Sequence, residues 1–165
     1  MTSECKDESC LEFLKGSYEE LRKKNDLPTF EELNQDFSIE KVATLETDCL
    51  AREIRKIISE ILSNQLRFVE AILQPSNASM FVFSFIKSIN NGEKEKLNQI
   101  YTTLSKLGLD LVRLDLKFSE EDEINFIKKA FKEWQIIKED LSKILKIVKD
   151  NWDNKVQTNG KNYFG

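Results

Sequence analysis

The sequence predicts an all-α fold: an elongated antiparallel helical bundle of four to five helices with a flexible C-terminal tail. Three observations predict it. Glycine occurs 5 times and proline twice in 165 residues, against about 12 and 8 at average usage. That depletion disfavours turn-rich β sandwiches and Rossmann-type sheets. After residue 45, apolar residues recur at spacings of three and four, the period of one helix face. The candidate links at 74–77, 91–92 and 118–120 are short, which makes neighbouring helices antiparallel.

One domain is expected over residues 1–152. Residues 1–8 read as a frayed start. The first helix is expected from Ser9 to Lys24, with Leu11, Leu14, Tyr18 and Leu21 on one face. Residues 25–44 form a connector with a short helix. Pro28 breaks the first helix, and Thr29-Phe30-Glu31-Glu32 is a capping-box pattern. Phe30, Leu33 and Phe37 pin the connector to the body, and Ser38 to Ala43 adds a turn.

A long helix is expected from Leu45 to Leu73. Leu50, Ile54, Ile57, Ile61, Phe68 and Ile72 form one apolar row, with Ile58, Leu62, Leu66, Val69 and Leu73 beside it. Gln74-Pro75 ends it, and Ser76 or Asn77 caps the next element. In residues 78–90, Phe81, Phe83 and Phe85 alternate as in a strand, but no partner strand is evident. A short, nearly buried helix ending at an Asn91-Gly92 cap is the reading that follows.

The next helix starts near Glu93 and keeps its rhythm through Gly108 to Phe118, in preference to a strand over 109–118. Ser119 and the acids after it start the last helix, where negative charge complements the dipole. That helix is expected to run from Glu120 to Trp152. Ile124, Ile127, Phe131, Trp134, Leu141, Leu145, Val148 and Trp152 lie on its core row, and Lys138 takes a skipped position. Ala130, Ile137 and Ile144 widen the stripe. Residues 153–165 form the flexible tail.

Composition narrows function. Histidine is absent, which excludes Ser-His-Asp and Cys-His nucleophiles, His-ligated zinc or haem, and Glu-x-x-His di-iron bundles. No phosphate-cradling glycine motif occurs. No cofactor and no small-molecule substrate are inferred. The net charge is −4, with 13 acids against 6 bases in residues 1–50, which disfavours duplex DNA as a partner. Cys5, Cys10 and Cys49 form no disulfide framework by count and read as reduced thiols. No secretory signal or membrane span is evident, so an intracellular, soluble protein is expected, cytoplasmic or nuclear.

The remaining candidates are surface features. Glu120 to Glu123 reads as first-turn acids facing the dipole, with Ile124 and Ile127 pointing inward. Arg52, Arg55 and Lys56, together with Lys128, Lys132, Lys143, Lys146 and Lys149, form a possible basic patch. In the tail, Gln157, Tyr163 and Phe164 are candidate partner-binding residues.

Three resemblances accompany these residues. The segment Gln157 to Phe164 resembles a sliding-clamp-binding box, matching its first, seventh and eighth positions and departing at Gly160, where an aliphatic anchor belongs. Ile54 to Glu70 resembles the helical domains of GINS replisome subunits, without the small β domain of that family. Both imply a DNA-replication accessory factor. Glu19-Glu20 and Glu120-x-x-Glu123 are similar to the acidic helix motifs of magnesium-dependent all-α nucleotide pyrophosphatases, with Lys23 where the first pair needs an acid. The leading expectation is a non-enzymatic helical interaction or adaptor subunit of a multi-protein assembly, homo- or hetero-oligomeric. The accessory factor stands second and the nucleotide hydrolase third.

Overall fold

The computed structural model describes residues 7–45, 47–76 and 79–159. Among these residues the protein is all-helical, with no strand. Six α-helices and one 3-10 helix follow in order: α1 (Asp7–Asn25), α2 (Phe30–Phe37), the 3-10 helix (Ile39–Thr44), α3 (Leu50–Leu73), α4 (Met80–Ile86), α5 (Asn91–Leu116) and α6 (Glu120–Asn159). That is more segments than the expected four to five. The chain groups into two compact units, Met1–Ser63 with Leu107–Glu133, and Asn64–Lys106 with Trp134–Gly165.

The first unit contains α1, α2, the 3-10 helix and parts of α3, α5 and α6. A glycine-poor chain still has to turn. Asp26 and Ser38 do so in the left-handed region, at φ 51° and 54°, where glycine is the usual occupant. The capping box predicted at Thr29 is present. Glu32 N–H donates to Thr29 Oγ1 at 3.2 Å, and the Thr29 amide and hydroxyl donate back to the carboxylate at 2.8 and 2.7 Å. Those bonds, the backbone one foremost, hold the Glu32 carboxyl below its ordinary range. Phe30, Leu33, Phe37, Ile39 and Val42 are buried, so the connector is anchored at five points.

Tyr18 is fully buried in this unit. Its hydroxyl donates to the Pro28 carbonyl at 2.7 Å, and its ring meets Phe30 edge-on at 5.8 Å. Burial pushes the phenol well above its ordinary value of 10.0. The folded protein therefore resists ionisation that the unfolded chain undergoes. Tyr18 stability is fully present below pH 10 and falls as pH rises beyond it. Urea denaturation of wild type and Tyr18→Phe across pH 8–12 checks this. Wild type should lose the larger share of its stability above pH 10. Parallel curves would exclude Tyr18 as the cause.

The second unit contains α4 and parts of α3, α5 and α6. Its core includes Val69, Ile72, Phe85, Leu97, Ile100, Leu104, Trp134, Ile137, Leu141, Ile144 and Val148. Asn90 caps α5: its Oδ1 accepts from Gly92 N–H at 2.7 Å and Glu93 N–H at 3.2 Å, while the Asn90 backbone N–H donates to the Glu93 carboxylate at 2.6 Å. Asn91-Gly92 thus opens α5 and does not close α4 as expected. Helix α5 continues unbroken through Gly108, so 109–116 is helix.

Three further expectations are corrected. Helix α6 continues to Asn159, seven residues beyond Trp152, so 153–159 is helical and not a loose tail. Leu145 is exposed and Phe131 only half-buried. The buried row is Ile127, Ala130, Trp134, Ile137, Leu141, Ile144 and Val148. This strict three-and-four repeat keeps Ile127, Trp134, Leu141 and Val148 of the expected row. It takes Ala130 and Ile144, expected only to widen the stripe, in place of Phe131 and Leu145. Cys10 is disulfide-bonded and Cys49 is a free thiol. An odd count excludes a framework but not one bridge plus one thiol.

Candidate functional site

The run Met80-Phe81-Val82-Phe83-Ser84-Phe85-Ile86 was expected to be nearly buried. A helix of two turns can press only one stripe against its unit. In α4 that stripe is Phe85, fully buried and edge-on to Phe68 at 5.8 Å. Ser79 caps the helix, its hydroxyl facing Val82 N–H at 3.5 Å. Its C-terminal end is held from α6, where Asn151 donates to the Ser88 carbonyl at 2.8 Å.

Val82 and Ile86 are half-buried, and three apolar side chains of α4 are exposed. Met80 is 81% exposed, Phe81 51% and Phe83 43%. Met80, Phe83 and the exposed Lys87 stand at i, i+3 and i+7, one line along the helix. Phe81 leans edge-on against Trp152 of α6 at 5.3 Å. Near Trp152 on α6, Lys149, Asp150 and Asp153 are all exposed. From Ala71 to Gly92 the sequence contains no acid. The patch is an aromatic surface on an acid-free stretch, with Lys87 at one end, in an acidic protein.

The first unit carries a groove of about 1010 Å³ between α1 and the segment from the 3-10 helix to Leu50. Phe13, Leu14, Val42 and Leu45 are among its apolar walls, and its charged lining residues are Glu40 and Asp48. Phe13 is 78% exposed. A smaller cavity of about 430 Å³ in the second unit is lined in part by Ile72, Pro75, Ile86 and Tyr101.

The predicted basic patch is not assembled as expected. Arg55 is buried, 6% exposed, and its Nε donates to Glu123 Oε2 at 2.8 Å while Nη2 pairs with Asp115 at 3.0 Å. Arg52 lies 4.0 Å over the Phe118 ring, with Nε 3.6 Å from Glu123 Oε1, ion-pair but not hydrogen-bond distance. Lys56 pairs with Glu53 and Lys143 with Glu139. The bonds from Lys143 lower the Glu139 carboxyl and raise the lysine in turn. Lys128 is half-buried, and Lys132, Lys146 and Lys149 are exposed. For Gln157 only the helical backbone is described, and Tyr163 and Phe164 lie outside the described residues.

Glu123 is the residue that sequence reasoning missed. It is not a solvated first-turn acid but is 0% exposed. The signal was present: Glu123 stands four residues before Ile127, so it extends the buried three-and-four row of α6 backwards by one step. An acid at a core position requires a counter-charge, and Arg55, on the buried face of α3 with Ile58 and Leu62, supplies it. Bound to arginine, Glu123 is not one half of an open carboxylate pair.

Among the described residues no helix is long and apolar enough to cross a membrane. Comparison with family models, characterised proteins and solved structures finds no match for the chain.

Proposed function

We propose that this chain is a non-enzymatic helical interaction subunit of a multi-protein assembly, each unit an antiparallel bundle, with α4 as a docking surface. The exposure of Met80, Phe81 and Phe83 carries the reading. Adjacent exposed aromatics are rare on a surface without a partner, and burying a large apolar side chain contributes about 1.5–3 kcal/mol. The rigidity of the platform supports it as well, since Phe85 and the Asn151 bond fix α4 before any partner arrives. A nucleic-acid role draws less support, because Arg55 is withdrawn into the core and Lys143 is paired.

The test is affinity capture from cell extract with wild type and Phe83→Asp, analysed by mass spectrometry. Phe83 is 43% exposed, so the variant gives up part of a phenylalanine's burial, and circular dichroism verifies its fold before capture. At least one protein captured by wild type should be lost. Identical capture lists would overturn the assignment of α4.

A further inference from the structure

We propose that the exposed aromatic face of α4 in one copy of this chain seats in the α1 groove of a second copy, joining the two head to tail. The proposal rests on the reading of α4 as a docking surface and names its occupant.

Two independent surfaces carry it. The groove of the first unit is apolar, walled by Phe13, Leu14, Val42 and Leu45, and its charged lining residues, Glu40 and Asp48, are both acids. The α4 face offers Met80, Phe81 and Phe83, followed along the same line by the exposed Lys87 and with no acid from Ala71 to Gly92. Each surface lacks what the other has. Like-charged patches oppose a face-to-face pairing of α4 with α4, whereas α4 against the groove places lysine beside carboxylate. Complementary charge selects partner and register more than it adds affinity.

Size sets the strength. Three partly exposed side chains fall well short of the roughly 1,200–2,000 Å² buried in a standard interface. The association is therefore weak, with a dissociation constant on the order of 10–100 μM. An interface using different patches on the two partners is heterologous, so wild type adds further copies as a ring or open chain.

Sedimentation velocity of the full chain, from about 5 to 300 μM, tests the proposal with Phe83→Asp and Phe13→Asp. Both positions are exposed, and circular dichroism verifies each fold. Wild type should show concentration-dependent association. Each variant alone should associate at least tenfold more weakly. An equimolar mixture should form a heterodimer, because Phe83→Asp keeps its groove and Phe13→Asp keeps its α4 face. Where either variant fails to fold, Lys87→Glu and Asp48→Lys replace the pair: each alone should weaken association, and their mixture should restore it.

Loss of association in Phe83→Asp with none in Phe13→Asp would indicate a symmetric α4 contact and overturn the proposal. Wild type that stays monomeric throughout overturns it too. In that case the interaction reading still stands if Phe83→Asp loses captured proteins, and falls only if it does not.

Discussion

Removing either side of the Arg55–Glu123 pair is expected to destabilise the protein by about 3–5 kcal/mol, the cost of leaving one buried charge without its partner. Both side chains are out of solvent, and Glu123 takes a 2.8 Å bond from Arg55. Glu123→Leu strands Arg55 with only Asp115, whose own side chain is largely exposed. Arg55→Met strands Glu123 beside Arg52, which stands 3.6 Å away and does not hydrogen-bond it. The double variant is expected to recover most of the loss, because a buried ion pair is often replaced by apolar side chains of similar volume at little cost. Urea denaturation of the four proteins of this cycle reads the coupling directly. Additive losses would mean that the pair does not act as a unit.

That pair also explains how far the sequence could be read. Helix content, the capping box at Thr29 and the continuity of α5 through Gly108 were legible because each rests on local chemistry or on a long repeat. The phase of α6 was less so. Its apolar residues are wide enough to fit two neighbouring rows, and only packing selects Ala130, Ile137 and Ile144 over Phe131 and Leu145. Treating Ala130, Ile137 and Ile144 as the edge of the stripe hid Glu123, which stands seven residues before Ala130 on that same side of the helix. Lys138, taken as a skipped core position, is then simply a flank.

The candidate surface was illegible for a different reason. Seven apolar-rich residues between Ser79 and Lys87 read as core on hydrophobicity alone. Hydrophobicity does not say how much surface is available to cover them. The unit buries Phe85 and lets Phe81 lean on Trp152. Met80 and the outer side of Phe83 stay uncovered. The groove beside α1 depends on where the 3-10 helix and Leu45 come to rest, which no spacing in the sequence encodes.

Trp134→Ala is the second change expected to have a large effect, a loss of about 3–5 kcal/mol, the range for deleting a large aromatic from a packed core. Trp134 is 8% exposed and stands in the buried row of α6 between Ala130 and Ile137. Small neighbours such as Ala130 cannot expand into the space an indole vacates, and the cost grows with the cavity left behind. Trp152 is the internal control. It is half-buried, and its described ring contact is with Phe81, itself half-exposed. Trp152→Ala should lose an aromatic pair worth about 0.5–1.5 kcal/mol and a fraction of its burial. Guanidinium denaturation of the two variants should therefore separate them by about 2 kcal/mol or more, with Trp134→Ala the weaker protein. Fluorescence reports the same difference from the other side: Trp134→Ala leaves only the half-buried Trp152, so its emission should lie to the red of that of Trp152→Ala. Equal, small losses would mean that the row through Ile127, Trp134 and Leu141 does not face the core, and the assignment of Glu123 to that row would fall with it.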